Sequence, residues 1–175
     1  MRRVSAPADR IVVIGAGASA LILELVEHGY DSIDALDISV AALGQLRTLL
    51  GERAGAVRFV HSDVRTVEFD APVDVWHDRA TFHFLTDPAD QMAYAARAAV
   101  AVRPGGHLVI AVFSLTGPEQ CSGLRVVRYS ADTLGAVFDA DFTLVEASEY
   151  DHVTPWGDTQ PFVQLVLQRR AATAG

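Results

Sequence analysis

The most constraining feature of this sequence is a short apolar run that leads through a glycine-rich segment into an amphipathic pattern. Ile11–Ile14 is β-branched and predicts a buried strand, and Gly15-Ala16-Gly17-Ala18-Ser19-Ala20 follows it directly. The next apolar residues share one face of a predicted helix, which Gly29 should end: Ala18, Leu21, Ile22, Leu25 and Val26. A strand, a glycine turn and a helix in this order are typical of an α/β fold with a mostly parallel sheet.

The alternation of strands and helices continues along the chain. Further strands are predicted where short apolar runs occur, at Ile33–Leu36, Val57–Val60, Val73–Trp76, Leu108–Phe113, Phe142–Ala147 and Phe162–Leu167. Helices should begin at residues that can cap them, namely Ser39, Asp87 before Pro88, and Ser130. Two long loops are expected, Gly117–Tyr129 and Tyr150–Pro161. No helix-length segment separates the last two strands, so they should pair as an antiparallel hairpin.

Composition and charge narrow the functional classes. The 175 residues, half of them apolar, predict a single globular domain over 1–175. The net charge of -8 would repel a phosphate backbone, so we expect no nucleic-acid partner. The apolar run His107–Phe113 is too short to span a bilayer, and residues 1–10 lack the apolar core of a signal peptide. Cys121 is the one cysteine, which excludes an internal disulfide and fits a cytoplasmic location.

The glycine-rich turn predicts a nucleotide site. Gly15 permits a tight turn, and Gly17 lets a ligand approach the backbone at the start of the helix. Asp37 ends the second strand, where its carboxylate could accept hydrogen bonds from both hydroxyls of a ribose. The same pattern fits the dinucleotide fingerprint, so NAD stays open as a ligand at this point. The short chain and the antiparallel last strands weigh against it.

Five pieces of sequence occur together in order: Gly15–Gly17, Asp37, His61–Val64, Asp74–Arg79 and Arg103–Gly106. With them, Ile11 to Gln168 resembles the class I S-adenosylmethionine-dependent methyltransferases. The resemblance implies a Rossmann-like, seven-stranded, mostly parallel sheet with an antiparallel last strand and helices on both faces. Trp76–Ala80, Phe82–Phe84 and Cys121–Leu124 look more narrowly like a group of small bacterial members. Relatives usually carry an N-terminal helical segment that folds over the cofactor. The ten residues before the first strand are too few for most of such a segment.

The resemblance also implies roles for individual residues. The methionyl part of S-adenosylmethionine should contact Gly15, Ala16 and Gly17, and its ammonium group should meet the backbone carbonyl of His77. Asp37 should bind the ribose of the cofactor, with Ile38 beside the adenine. Asp63 should accept a hydrogen bond from the adenine amino group, with Val64 close to the ring. Ser19 stands where many members have a third glycine, and its hydroxyl could cap the helix.

Methyl transfer requires the nucleophile, the methyl group and the sulfur to be aligned. A nucleophile that carries a proton also needs a base to remove it. Asp78 and His83 are the candidate bases, with the ring of His77 as a further alternative, because they lie where the fourth strand ends at the expected ligand edge. A packed histidine and an ion pair between Asp78 and Arg79 are the structural alternatives. The candidate substrate-binding residues are Arg79, Cys121, His152 and Trp156. No metal site is expected, since close ligand spacing is missing.

We therefore expect transfer of a methyl group to an O, N or S atom of a small molecule. The alternatives are a protein methyltransferase, whose acidic rim could attract a lysine-rich partner, and a cofactor-binding protein without transferase activity. A loop or a second subunit of a homodimer would have to cover the cofactor in place of the N-terminal segment.

Overall fold

A seven-stranded sheet organises the protein. The computed structural model describes residues 4–17, 19–154 and 156–171. Nine strands occur among these residues, in chain order β1 (Ile11–Ile14), β2 (Ile33–Asp37), β3 (Val57–His61), β4 (Val73–Arg79), β5 (Val102–Phe113), β6 (Gln120–Cys121), β7 (Leu124–Arg125), β8 (Phe142–Val153) and β9 (Thr159–Arg169). The main sheet has the order β3-β2-β1-β4-β5-β9-β8, and β6 pairs with β7 alone. Only the pairs that involve β9 are antiparallel in the main sheet. The predicted fold class is confirmed.

Helices cover both faces of this sheet. They are α1 (Ala20–Glu27), α2 (Val40–Leu50), α3 (Pro88–Ala101) and α4 (Ala131–Phe138). Side chains of Ser39, Asp87 and Ser130 accept hydrogen bonds from backbone N–H groups of α2, α3 and α4, as predicted. Ser19 precedes α1, but its hydroxyl makes no capping hydrogen bond, so that expectation was wrong. Ala18 lies outside the described residues.

The side chains of β1 pack into two separate parts of the core, one on each face of the sheet. Ile11 and Val13 pack with α1 and α2, whereas Val12 and Ile14 pack with α3 and α4. This alternation follows from the two-residue period of a strand, and all four residues are buried because both faces are covered. Among the described residues, no helix is both long and apolar enough to cross a membrane.

Both of the predicted long loops contain β-strands. The interpretation of Tyr150–Pro161 as a loop was wrong, because β8 and β9 continue to pair through Tyr150 with Phe162 and Val153 with Thr159. Only residues 154–158 connect the two strands, and Pro155 lies outside the described residues. The predicted loop Gly117–Tyr129 contains the hairpin of β6 and β7. Polar residues at an exposed sheet edge carry no apolar pattern, so the sequence hid these strands.

Strand β4 is three residues longer than the prediction of Val73–Trp76. His77, Asp78 and Arg79 pair with consecutive residues of β5 and therefore belong to the strand. Side chains of a strand alternate between the two faces. His77 and Arg79 accordingly point to the face of α1, while Asp78 points to the opposite face, where Trp76 is packed. This alternation decides which of the three can reach a ligand.

Candidate functional site

Two clefts meet at Gly15, at the carboxyl end of β1. The larger cleft has a volume of about 580 Å³. Its lining comes from β1, β2, the segment after β3 and the segment after β4, and includes Gly15, Asp37, Ile38, Asp63, Val64, Arg65, Thr81, Phe84, Leu85, Asp90 and Leu124. The smaller cleft, of about 200 Å³, is lined by Val13, Ile14, Gly15, Ala16, Gly17, Ser19, Leu21, His77 and Arg79. Carboxyl ends of parallel strands are where such sheets bind ligands.

The glycine turn between the clefts requires its glycines. Gly15 and Gly17 have φ angles of 59° and 40°, in the left-handed region that side chains disfavour. A Cβ on Gly15 would lie 1.9 Å from Oγ1 of Thr81. Thr81 therefore packs directly against the turn, and it lines the larger cleft. The sequence alone does not identify Thr81, because its contact with Gly15 joins distant parts of the chain.

Asp37 ties the glycine turn to β2 and lines the larger cleft. One carboxylate oxygen accepts a hydrogen bond of 2.8 Å from the N–H of Gly17, and the other accepts one of 2.8 Å from the N–H of Ser39. Each oxygen keeps a second lone pair for a ligand hydroxyl. Ile38 lies beside it with 70% of its surface exposed, although it is a large apolar residue. This pair offers a polar anchor next to an apolar wall.

Asp63 already has a protein partner. Its carboxylate accepts hydrogen bonds from the guanidinium and from the backbone N–H of Arg65. The hydrogen bond from the Arg65 side chain lowers the pKa of Asp63 below its ordinary value. Arg65 also donates to Asp90 at the start of α3. An adenine amino group would share the Asp63 carboxylate with Arg65. Neither Arg65 nor Asp90 was predicted from the sequence, because their contact joins two separate segments.

His77 and Arg79 both line the smaller cleft, as the strand alternation requires. Nδ1 of His77 is buried and has no hydrogen-bond partner among the described residues. Burial lowers the pKa of His77 to about 4, so its imidazole is neutral at physiological pH. The Arg79 side chain is exposed on the same side.

Asp78 does not reach either cleft. Its side chain is fully buried, and its carboxylate accepts hydrogen bonds from the N–H groups of Thr81 and Phe82 and from the hydroxyl of Tyr94 at 2.6 Å. Burial raises its pKa to about 6. The expectation of a catalytic base at Asp78 is therefore corrected, as is the alternative of an ion pair with Arg79. Asp78 instead holds the turn after β4, in which Ala80 has a φ of 62°.

His83 is also enclosed. Its ring lies 4.7 Å from the ring centroids of both Phe84 and Phe113, and neither ring nitrogen has a hydrogen-bond partner among the described residues. Burial lowers the pKa of His83 to about 4. The packed-histidine interpretation fits this position, and the expectation of a catalytic base does not, because the ring lines neither cleft.

The remaining substrate-binding candidates separate into two groups. Cys121 packs on Phe113 and Phe162, and the ring of His152 also contacts Phe162, so the two share one aromatic cluster at the ends of β5 and β9. Tyr150 stacks on Phe162 at 5.6 Å and was missed because it was assigned to a loop. Trp156 is 86% exposed at the turn between β8 and β9. The described residues contain no group of three or more potential metal ligands.

The comparisons with known proteins agree with this geometry. Residues 11–106 match a family described as a methyltransferase domain, which is more than half of the chain. The chain belongs to this methyltransferase family. Solved structures with this fold include an S-adenosylmethionine-dependent methyltransferase and an N-methyltransferase in complex with S-adenosyl-l-homocysteine, and the family's cofactor is S-adenosylmethionine.

Individual relatives resemble parts or all of this methyltransferase. The mouse eEF1A lysine and N-terminal methyltransferase is 35% identical over 83 residues, which are 46% of this chain but only 12% of the mouse protein. An S-adenosylmethionine-dependent methyltransferase from Methanosarcina mazei has a TM-score of 0.82 at 16% identity, over 98% and 97% of the two chains. A Burkholderia thailandensis 1,6-didemethyltoxoflavin N1-methyltransferase has a TM-score of 0.72 at 24% identity, over 94% and 72%. These structural likenesses establish the fold.

The clefts of this methyltransferase fit the two halves of its cofactor. A ribose suits the Asp37 carboxylate, and a purine suits the exposed Ile38 side chain and Val64. A Cβ at Gly15 would clash with Thr81, so the backbone there is bare at the junction of the two clefts. The smaller cleft, of about 200 Å³, carries one charged side chain, Arg79.

Proposed function

We propose that this methyltransferase acts on a nitrogen atom of a small molecule. The observation that carries the proposal is that the two clefts meet at Gly15 while the buried side chains of Asp78 and His83 line neither of them. S-adenosylmethionine, when bound, supplies a methyl group on a positively charged sulfur. Gly15 and Asp37 would hold it across the turn.

The preference for nitrogen rests on the positions of the titratable groups. Asp78 and His83, the two candidate bases, are enclosed away from the clefts. An alcohol would need such a base, because its hydroxyl is a poor nucleophile until the proton leaves. A neutral amine attacks through its lone pair and can lose its proton to water afterwards. Alignment by the cleft walls is then the main task of the protein.

A protein acceptor is the second candidate, and one observation favours it. The matched relative from mouse is described as a lysine and N-terminal methyltransferase, and its acceptors are therefore also amines. The acidic net charge of -8 would attract a lysine-rich partner. Against it, the chain corresponds to only about an eighth of that relative, and the similarity lies in one part of each protein.

The test has two stages. Calorimetry with S-adenosylhomocysteine and with NAD comes first, and binding of the former alone is expected. Methyl-labelled cofactor is then offered with panels of small amines, thiols and phenols and with lysine-containing peptides. Label on a small amine supports the proposal, while label on peptides alone establishes the protein alternative. Binding of S-adenosylhomocysteine without transfer to any acceptor would favour a protein that only binds the cofactor.

A further inference from the structure

The smaller cleft has one positively charged side chain and no negatively charged one in its lining. Of the nine residues that line it, only Arg79 is charged at neutral pH, because the imidazole of His77 is neutral there. No acidic side chain belongs to the lining. The exposed guanidinium of Arg79 forms no salt bridge or hydrogen bond with any residue in the described part of the chain. A free cation at the wall of a small cleft is suited to an anionic group.

The protein places this cation by strand register. Arg79 pairs with Ala111 of β5, and the period of two puts its side chain on the same face as that of His77. Asp78 lies between them on the opposite face, enclosed by Thr81, Phe82 and Tyr94. The nearest carboxylate in sequence is therefore held away from Arg79 and cannot neutralise it. The hydrogen bonds of Asp78 keep the guanidinium available.

We infer that Arg79 binds the carboxylate of the amino-acid part of the cofactor and that it selects ligands which carry this group. The inference rests on the proposed cofactor function. The planar guanidinium can donate two parallel hydrogen bonds to a carboxylate. α1 begins at Ala20 and its second residue, Leu21, lines the same cleft, so the N-terminal end of this helix adds positive potential there. Because no acidic side chain lines this cleft, the cofactor's ammonium group would donate its hydrogen bonds to backbone carbonyls.

A pair of ligands and a pair of variants test this contact. Decarboxylated S-adenosylmethionine lacks only the carboxylate, so its affinity can be compared with that of S-adenosylmethionine by calorimetry without any acceptor. Wild-type protein should bind the complete cofactor about 10-fold more tightly, at the low end for a charged hydrogen bond because Arg79 is exposed to solvent. In Arg79→Met this preference should disappear, and Arg79→Lys should keep part of it. High salt should reduce the wild-type preference.

Arg53→Met is the matched control. It removes the same charge from an exposed ion pair with Glu27, outside both clefts, and should leave the preference unchanged. Three results would overturn the inference while leaving the cofactor function intact: an unchanged preference in Arg79→Met, an equal loss for both ligands, or unchanged cofactor binding with a raised KM for the acceptor. Failure of the wild-type protein to bind either ligand would overturn the proposed function and this inference together.

Discussion

Replacing Tyr94 with Phe tests the buried network that fixes the end of β4. The Tyr94 hydroxyl accepts a hydrogen bond of 2.8 Å from Nε1 of Trp76 and donates one of 2.6 Å to Asp78. All three side chains are fully buried. The substitution leaves the indole N–H without a partner, at about 1–3 kcal/mol, and removes a hydrogen bond to a charged group, at about 1.5–3 kcal/mol. With partial relaxation we expect a loss of about 3 kcal/mol at pH 8, or about 6–12 °C in Tm.

The loss should depend on pH, because Asp78 titrates. Burial raises its folded pKa from 3.8 to about 6, so the unfolded chain releases the proton more readily. The associated stability is fully present below pH 3.8 and disappears as the pH rises through 6, by about 3 kcal/mol in total. The Tyr94 hydroxyl stabilises the charged carboxylate, so removing it should raise the folded pKa of Asp78 further and make the loss larger at pH 8 than at pH 5.

Urea unfolding at pH 5 and pH 8 measures both effects. The difference between variant and wild type cancels the contributions of all other titrating groups. Tyr30→Phe is the matched control, because among the described residues its hydroxyl bonds to Ser5 and to no carboxylate, and its effect should be equal at the two pH values. A loss for Tyr94→Phe below about 0.5 kcal/mol at pH 8, or one equal at both pH values, would refute this account of the network.

Three further substitutions or probes address the clefts. Asp37→Ala should weaken S-adenosylhomocysteine binding by about 1.5–3 kcal/mol and, because the carboxylate also holds the N–H groups of Gly17 and Ser39, should lower the stability by about 1 kcal/mol; unchanged calorimetric affinity would make Asp37 purely structural. Gly15→Ala should abolish measurable binding through its clash with Thr81, and Thr81→Ala in the same chain should relieve the clash but not the strain at positive φ, so full recovery would contradict the argument. Thiol labelling of Cys121 should slow when S-adenosylhomocysteine is bound, since the β6–β7 hairpin that carries it also places Leu124 in the larger cleft; an unchanged rate would exclude closure by this hairpin.

Local sequence determined the elements that hold the cofactor part of the site. Strand β1 was predicted with its observed bounds, because four consecutive β-branched residues before a glycine turn have few other solutions. Asp37 was predicted at the end of β2 for the same reason, and it faces the glycine turn as expected. The caps at Ser39 and Asp87 followed from side chains that bond within their own helix turn. Each of these interactions spans a few residues or a single strand–turn–helix unit.

Tertiary structure decided the roles of the residues around β4. Whether Asp78 or Arg79 faces the ligand depends on how far β4 pairs with β5, and a shift of one residue would exchange their faces. The contact of Arg65 with Asp90 and the extension of β8 along β9 also join residues from separate elements. Such pairings carry no local pattern, because polar side chains at an edge or a strand end look the same in sequence whether they are paired or in a loop. Packing therefore placed Asp78 in the core and left Arg79 at the cleft.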